Sequence, residues 1–295
     1  MQKAPLRRPT FWEYRFYIHI RKEAACLDRY LLKNIIILIL VLVNGFLLGA
    51  LTVRQTAEER SRRQAEEQLV ELFAADSISL DPDAISDEVS PPALSFLRST
   101  EREREAAGFF LGDDLTEENQ GGGISTYTGA AGTATFRSNG SFDIKGTLAS
   151  KDTEALCQAF CRTFSYGQPA FLLDQDGSGS GSAVYRHNKL PVFNCTVTFT
   201  LENGILTSVS GTLLPKEGSV STETREPLTA PAALITFQKA HRESGAVGSA
   251  ITEMYACYEL QSAASSALSL VPAWCVVTDI TNYYVNAITG TVTAG

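Results

Sequence analysis

The sequence predicts an α+β protein with an N-terminal transmembrane helix and a helical stalk, followed by two sequential units in which one helix packs on an antiparallel sheet. Three observations lead to this prediction. A charge-free apolar run lies near the N-terminus, at residues 34–53. After the glycines at 121–123 the pattern of apolar residues changes from helical to alternating. The second half of the alternating region then repeats the plan of the first half.

The apolar run is long enough to cross a lipid bilayer as a helix. From Ile35 to Val53 there are 19 residues without a charge. At ~1.5 Å per residue they span ~28 Å, close to the ~30 Å thickness of the hydrocarbon layer. Lys33 and Arg54 bracket the run and can place their charged ends in the two interfaces. Residues 34–53 are therefore predicted to form a transmembrane signal anchor.

A cleaved signal peptide is the alternative interpretation of this run. The apolar core of a signal peptide is about 7 to 15 residues long and ends in a small-x-small cleavage site. Here a cut after Ala50 would have Leu48 at the position where a small residue is expected. The sequence therefore favours an anchor that is not cleaved.

The charges on the two sides of the anchor predict its orientation. Residues 1–33 contain eight Lys and Arg residues and three acids, whereas residues 54–67 contain four of each. The cytoplasmic flank of a membrane helix carries the excess of Lys and Arg. Residues 1–33 are thus predicted to be a cytoplasmic basic tail, and the C-terminal domain of this single-pass cell-membrane protein is predicted to be extracytoplasmic.

The part of the chain beyond the tail is acidic. Of the 25 bases and 33 acids in the whole chain, 17 bases and 30 acids remain after residue 33, a net charge of −13. Such a surface repels nucleic acid and anionic lipid headgroups. We therefore expect no nucleic-acid partner, and contact with the lipid bilayer only through the apolar helix.

Residues 54–120 are predicted to be an extracytoplasmic helical stalk. The stretch after the anchor is rich in strong helix formers, with Glu and Arg three and four residues apart. The charged cluster Glu101–Glu105 is interpreted as the solvated face of a second helix in this region.

Residues 121–216 are predicted to be the first α+β unit. The pairs Asn139-Gly140 and Asn203-Gly204 each lie between alternating segments, which is typical of a two-residue type I′ hairpin turn. A helix is expected between them, over 151–164. The apolar residues predicted to form its core are Leu156, Phe160, Phe164, Phe193, Val197 and Phe199.

Residues 217–295 are predicted to be the second α+β unit and to repeat the plan of the first. Leu190–Cys195 resembles Val271–Cys275 with an offset of 81 residues at the prolines, and Gly211-Thr212 resembles Gly290-Thr291 with an offset of 79. Chance similarity between two amphipathic hairpins is the alternative. The apolar residues predicted to form the second core are Leu234, Phe237, Tyr255, Trp274, Val276 and Tyr284.

The cysteines beyond the membrane leave the redox state open. Their number is odd, so they cannot all pair. Cys157 and Cys161 lie four residues apart on the predicted helix, where core packing is the simpler interpretation. A cross-strand disulfide between Cys257 and Cys275 is the alternative left open for that pair. The five outer cysteines are Cys157, Cys161, Cys195, Cys257 and Cys275.

The sequence offers no recognised catalytic, cofactor-binding or metal-binding residues. Ser180 is flanked two residues away on each side by serine, so it does not lie in a Gly-x-Ser-x-Gly elbow. Asp174 begins a stretch similar to a calcium loop, but Tyr185 occupies the twelfth position, where a Glu is required. A Walker loop and a His-Glu-x-x-His pattern are both absent from the sequence. We therefore expect a protein that is not an enzyme.

The membrane helix carries a stripe of small and polar residues, which we call the small-residue stripe. At 100° per residue, Asn34, Gly45, Gly49 and Thr52 fall at about 0°, 20°, 60° and 0° around the helix, and Asn44 lies about 80° from the first of them. Gly45 and Gly49 form a Gly-x-x-x-Gly pattern, which lets two helix backbones approach closely. The stripe is therefore a predicted partner-helix interface, and glycines that simply face lipid are the alternative.

Two segments carry a resemblance to a known family. The stretch DRYLLKNIIILILVLVNGFLL around the anchor and the closing stretch LVPAWCVVTDITNYYVNAITGTV are similar to the YycI and YycH regulatory proteins of Gram-positive bacteria. The closing stretch also resembles PepSY-like units, which end in a Trp-containing strand followed by Tyr-Tyr-Val-Asn-Ala and a Gly turn. The five outer cysteines are unusual for this resemblance.

The resemblance implies an extracytoplasmic sensor or adaptor of a two-component system. Such a protein contacts a membrane sensor histidine kinase through its transmembrane helix and outer domain, with a second related regulator as a further candidate partner. The kinase contact maps here onto Asn34, Gly45, Gly49 and Thr52. A PepSY-like ligand-binding or peptidase-inhibiting module of the cell envelope is the second hypothesis, and a cell-envelope enzyme with an unrecognised site is the third.

Overall fold

The chain is a mixture of helices and antiparallel sheet, which confirms the predicted α+β class. It divides into two compact units, Met1–Ala65 and Glu66–Gly295. The predicted tail residues 1–10 lie outside the described part. In the first helix, the side chains of residues 11–32, 55, 57, 58, 61 and 62 are likewise not described. The computed structural model describes residues 11–149, 151–221, 225–245, 248–262 and 268–295.

Four α-helices and fifteen strands occur in the described ranges. The helices are α1 (Phe11–Ala75), α2 (Thr100–Leu111), α3 (Thr153–Thr163) and α4 (Ala230–Ser244), and a short 3-10 helix covers Pro82–Ala84. The first eight strands are β1 (Ser79–Leu80), β2 (Leu94–Phe96), β3 (Thr116–Gly121), β4 (Ile124–Gly129), β5 (Gly132–Arg137), β6 (Ser141–Ala149), β7 (Ala170–Leu173) and β8 (Gly179–His187). The others are β9 (Leu190–Glu202), β10 (Ile205–Thr212), β11 (Ser219–Val220), β12 (Ala250–Ser262), β13 (Leu268–Thr278), β14 (Asn282–Asn286) and β15 (Val292–Ala294).

The first sheet is antiparallel, in the order β3-β4-β5-β6-β10-β9-β8-β7. Aromatic side chains from α2 and α3 pack on it, and Phe160 lies 4.5 Å from Phe164 and 4.9 Å from Phe110 between ring centroids. Phe160, Phe164, Val197 and Phe199 are buried in this core as predicted, with Leu156 packed at its edge. Phe193 was wrongly assigned to it, because its side chain packs beside Cys257 and Cys275 of the second sheet.

The second sheet is built on the long hairpin of β12 and β13, with β14 and β2 on the free edge of β13. Helix α4 covers one face. The indole nitrogen of the buried Trp274 donates to the Leu228 carbonyl at 2.8 Å. Leu234, Phe237, Trp274 and Val276 are buried in this core as predicted.

Tyr255 and Tyr284 are corrections to the predicted second core. Successive side chains of a strand point to opposite faces, and these two lie on the face of the second sheet away from α4, beside Cys257 and Cys275. We call this side the outer face of the second sheet. The alternation in the sequence identified the strands without indicating which face of each one is covered by the helix.

The two sheets are joined where β9 meets β12 in parallel, with Val192 opposite Tyr258. The Asn194 side chain extends this junction, because its amide nitrogen donates to the Leu260 carbonyl at 2.8 Å and its oxygen accepts from the Leu260 N–H at 2.7 Å. Residues 121–216 and 217–295 therefore share one continuous sheet. This differs from the prediction, in which they form two separate units.

The repeated plan is present in the topology. Helix α3 precedes the antiparallel meander β8-β9-β10, and helix α4 precedes the antiparallel meander β12-β13-β14. Pro191 and Pro272 lie in the two central strands. The predicted correspondence between Gly211-Thr212 and Gly290-Thr291 does not hold, because Gly211 lies within β10 while Gly290 lies in the turn after β14.

The predicted helical stalk over 54–120 differs from the structure. Helix α1 ends at Ala75, and its last turns bury Leu69 and Phe73 in the second core. Strand β2 belongs to the second sheet, and β3 pairs with β4 through a glycine-rich hairpin turn at 121–123. Strands β1 and β2 escape sequence analysis because their partners, β12 and β13, are far along the chain.

The charged cluster on α2 is not simply a solvated face. Glu103 is 5% exposed, and its carboxylate accepts two hydrogen bonds from Arg98, at 2.6 and 2.9 Å. The Arg98 guanidinium also donates to the Gly123 carbonyl and to the Ser125 hydroxyl. The Arg98–Glu103 pair therefore ties the start of α2 to the β3–β4 turn.

One of the two predicted type I′ hairpin turns is present. At Asn203-Gly204 both residues have positive φ (50° and 75°), which confirms a type I′ turn. At 139–140 only Gly140 has positive φ, and its N–H donates to the Arg137 carbonyl, so this turn is type I with a left-handed glycine. A further pair of positive φ angles, at Asn188 and Lys189, went unpredicted because no glycine marks it.

Replacing Arg98 with Ala should destabilise the unit Glu66–Gly295 by about 3 kcal/mol, because it leaves the buried Glu103 carboxylate without its cation. Arg104→Ala is the matched control, since the Arg104–Glu117 pair is also 2.6 Å long but its side chains are 51% and 36% exposed. That change should cost less than about 1 kcal/mol. Urea unfolding of the two variants measures the difference, and equal losses would contradict the structural role of the buried pair.

Candidate functional site

The apolar part of α1 is the first candidate site. Lys33–Arg54 is 22 residues long with a mean hydropathy of 2.7, and none of it is buried within the protein. It is the one helix of the described residues that is long and apolar enough to cross a membrane. Its bulky side chains are open to the surroundings, with Phe46 75% exposed. This helix fits a single-pass membrane anchor.

The small-residue stripe lies on this exposed helix. Apart from the adjoining residues and backbone of their own helix, no heavy atom of the described residues lies within 4 Å of the position that a Cβ on Gly45 or Gly49 would occupy. The Thr52 hydroxyl donates to the Gly49 carbonyl at 2.9 Å, so its proton is used within its own helix and only its oxygen lone pairs can serve a partner. Asn34 and Asn44 carry exposed amides. The stripe therefore offers close backbone approach at the glycines and hydrogen bonding at the two amides.

The five outer cysteines are buried thiols. Cys157 and Cys161 pack in the first core, as predicted for that pair. Desolvation raises the pKa of Cys157, Cys161 and Cys195 to about 12, so these thiols stay protonated and unreactive near neutral pH. Buried protonated thiols of this kind act as small apolar side chains.

The disulfide left open for Cys257 and Cys275 is not formed. Cys257 lies opposite Ala273 and Cys275 lies opposite Tyr255, so the two cysteines are diagonal neighbours on β12 and β13. Diagonal Cα atoms are ~7–8 Å apart, beyond the distance that a disulfide spans without backbone movement. Burial raises the pKa of both thiols, and hydrogen bonds with Tyr255 and Tyr284 oppose part of this rise in the pKa of Cys275.

The side chains that could take part in catalysis or metal binding lie apart from one another in the described ranges. No three of their His, Cys, Asp and Glu side chains come together as a metal site. His187 packs between the rings of Phe96 and Tyr258, with centroids 5.8 and 6.0 Å away, and desolvation lowers its pKa. The serines of the GSGSGS tract from Gly179 onward are part of strand β8, where Ser180 pairs with Leu172 and Thr200.

A cleft on the outer face of the second sheet is the second candidate site, and we call it the Glu259 cleft. The Glu259 atom Oε2 accepts from Asn286 Nδ2 at 2.6 Å and from Gln261 Nε2 at 3.1 Å. The rings of Phe193 and Tyr284 also line the cleft and are stacked, with centroids 3.8 Å apart. The cleft has a volume of about 160 Å³ and is lined by Phe193, Glu259, Gln261, Ala273, Tyr284, Asn286, Thr289, Thr291 and Thr293.

Sequence analysis missed the Glu259 cleft. Its residues come from β9, β12, β13, β14 and the turn and strand that follow, so that they meet only through the sheet pairing. The one signal in the sequence is the alternation of Tyr255, Cys257, Glu259 and Gln261 on β12, which places a carboxylate on a partly apolar face.

A shallower groove lies beside the free edge of β12, between its pairing with β1 and its pairing with β9. It has a volume of about 420 Å³ and is bordered by the loop after β1 and by Thr252, Glu253 and Met254. Glu88 closes part of this edge, because its carboxylate accepts the Ala256 N–H at 2.9 Å. This bond satisfies a strand-edge donor, as protected sheet edges require.

No protein-family model matches the chain, and a search of curated proteins found no match. Several solved structures are similar to it, each at 11% identity. An uncharacterized protein from Eubacterium rectale has a TM-score of 0.45, with 73% of this chain and 89% of that one covered. The YpeB C-terminal domain of Bacillus megaterium has a TM-score of 0.35, covering 68% and 98%.

YycH from Bacillus subtilis has a TM-score of 0.33, covering 70% of this chain and 53% of its own, so this chain matches about half of the YycH structure. YycH, which the sequence motifs resemble, is thus among the similar structures, and its fold is of the same mixed class.

The buried thiols predict how stability depends on alkaline pH. Burial raises the pKa of the Cys157 thiol from 9.0, its ordinary value, to about 12 in the folded protein. Between these two pH values the folded protein therefore binds more protons than the unfolded chain does. The contribution of this thiol to the free energy of unfolding is constant below pH 9. Above pH 9 the free energy of unfolding falls as the pH rises, by at most about 1.4 kcal/mol per pH unit for each such thiol.

Urea unfolding of the full chain between pH 8 and pH 11 measures this dependence. Cys157→Ala removes one titrating group and should make the fall above pH 9 less steep. Equal slopes for the variant and the original protein would contradict a protonated buried Cys157.

Proposed function

We propose that the protein is a membrane-anchored extracytoplasmic regulator of a two-component sensor histidine kinase. It acts by protein–protein contact, through its transmembrane helix and its outer domain, and not as an enzyme. The observation that carries the proposal is the fully exposed helix Lys33–Arg54 with its open small-residue stripe. The motif resemblance to YycI and YycH supports the kinase as the partner.

The physics of helix association in lipid supports this role for the stripe. Lipid chains are as apolar as Leu, so membrane helices associate through close packing and interhelical hydrogen bonds. Gly45 and Gly49 have open space around them, which lets a second backbone come close. An amide such as that of Asn34 or Asn44 can then bond across the contact, at about 0.6–2 kcal/mol per bond.

The charge distribution supports the proposed orientation. The excess of Lys and Arg in residues 1–33 favours a cytoplasmic N-terminus, and the net charge of −13 after residue 33 suits a soluble domain on the other side. In this arrangement residues 66–295 form the outer domain, a compact unit that can contact the extracytoplasmic part of a kinase.

The packing of the outer domain favours docking over chemistry. Its thiols are buried and protonated, and His187 is packed between two aromatic rings. Several bulky apolar side chains are instead exposed at its surface and are available to a partner: Val89, Leu97, Leu172, Val220 and Ile280.

A PepSY-like ligand-binding or peptidase-inhibiting module of the cell envelope is the second candidate function. One observation favours it: the outer face of the second sheet is not covered by α4 and contains the Glu259 cleft. Immobilised full-length protein incubated with envelope peptidases and with a peptide library tests this candidate. Inhibition of a peptidase or saturable peptide binding supports it, and the absence of both counts against it.

The combined change Gly45→Leu and Gly49→Leu should reduce recovery of the kinase with the tagged protein about 5-fold or more, because two bulky side chains keep the helix backbones apart. Ala50→Leu is the matched control. Ala50 lies about 160° from Asn34 around the helix, so this change places a leucine side chain outside the stripe.

Quantitative co-purification from membranes, at equal amounts of the three proteins in the membrane, measures the effect. Unchanged recovery with the glycine variant, or an equal loss with Ala50→Leu, would contradict the small-residue stripe as the contact surface.

A further inference from the structure

We propose that the Glu259 cleft binds an organic cation, namely an alkylammonium or a guanidinium group. Its source is either a free amine or the end of a Lys or Arg side chain. This inference gives the second candidate function a defined ligand class, and it does not depend on contact with a kinase.

The carboxylate of Glu259 supplies an unbalanced charge. Its two contacts are to neutral amides, Asn286 and Gln261, and both use Oε2. In the described part of the chain no Lys or Arg forms an ion pair with it, and none of the nine residues that line the cleft is basic. The atom Oε1 is thus left to accept hydrogen bonds from a cationic donor, which are among the stronger hydrogen bonds in proteins.

The carboxylate is held in place by a rigid support. Asn286 is 3% exposed, and its side-chain oxygen accepts the N–H groups of Ile288 and Thr289 at 3.0 and 2.9 Å. Its amide nitrogen is thereby directed at Glu259. A charge fixed before binding costs little conformational entropy when the ligand arrives, which favours binding.

The aromatic part of the lining suits the apolar part of such a ligand. Phe193 and Tyr284 are stacked nearly parallel, at an interplanar angle of 8°, and Ala273 of β13 also lines the cleft. Aromatic rings attract alkylammonium and guanidinium groups and pack against methylene chains. The hydroxyls of Thr291 and Thr293 border the cleft and can accept further hydrogen bonds.

Size and ligand number restrict what can bind. A volume of about 160 Å³ is similar to the ~150 Å³ cavity that accepts one benzene molecule, so the cleft holds a small amine or one side-chain end. A calcium ion takes 6–8 oxygen ligands, usually with several carboxylates. Glu259 is the one carboxylate lining the cleft, which favours an organic cation over a metal ion.

Binding to the full-length protein in a non-ionic detergent tests the inference. The probes are n-butylammonium and guanidinium, with the neutral n-butanol and with Ca²⁺ as comparisons. Calorimetry and the side-chain amide resonances of Gln261 and Asn286 report binding. We expect saturable binding of both cations, with dissociation constants on the order of 1 mM, and no saturable binding of n-butanol or Ca²⁺.

Glu259→Gln keeps an acceptor for Asn286 and removes the charge, so the affinity for both cations should fall about tenfold or more. Glu253→Gln is the matched control, because Glu253 lies on the same strand and outside the cleft. It should change the affinity less than about twofold. The preference of the original protein for n-butylammonium over n-butanol remains decisive if Glu259→Gln does not fold.

A lysine-containing tetrapeptide with blocked ends identifies the source of the cation. Peptide binding with the same loss in Glu259→Gln indicates a side chain of a partner protein. Binding of n-butylammonium without the peptide indicates a free amine. Failure of both cations to bind, or equal affinity in the Glu259→Gln and Glu253→Gln variants, would overturn the inference. If the Glu259→Gln variant still inhibits a peptidase, the second candidate function is supported but a cation bound at Glu259 is not required for it.

Discussion

The exposed apolar surface of the helix Lys33–Arg54 is the constraint on which the account of this protein depends. None of these 22 residues is buried by the rest of the chain. Each Å² of apolar surface left in water costs about 25 cal/mol, so a helix with this composition is stable only when something apolar covers it. A bilayer supplies that cover along the whole length of the helix.

The membrane environment also changes what the small-residue stripe can do. In water, Gly45 and Gly49 would weaken the helix, because glycine has a poor helix propensity. In lipid, the same two glycines are the places where another helix can come close, and a hydrogen bond from an Asn amide has no competition from water. In the proposed function, this stripe supplies the contact with the partner helix within the membrane.

The unit Glu66–Gly295 has one sheet face that no helix of the described residues covers. Helix α4 covers only one side of the second sheet, and Trp274 fixes that packing through its bond to Leu228. The other side carries the Phe193–Tyr284 stack and the Glu259 carboxylate. The junction of β9 and β12 brings Phe193 to this face, so the joining of the two sheets is also what builds the cleft.

Sequence patterns predicted the parts of this molecule that are local. The charge-free run, the two helices α3 and α4, the repeated meanders and the Asn203-Gly204 turn all depend on residues close together in the chain. The face assignments of Tyr255 and Tyr284 failed because alternation shows only that successive side chains point to opposite faces of a strand. It does not show which of the two faces packs on a helix. The stalk prediction failed because β2 pairs with β13, more than 170 residues later. The Glu259 cleft could not be predicted, since Phe193 and Glu259 meet only after the sheets join. The small-residue stripe remains a prediction, because it concerns a partner.

The most direct test of the account is the mass and location of the mature chain in intact cells. The account predicts a full-length, uncleaved protein in the membrane fraction, extracted only by detergent, whose outer domain is digested by protease added outside the cells. A soluble chain shortened near residue 50, or an outer domain that external protease does not reach, would contradict it.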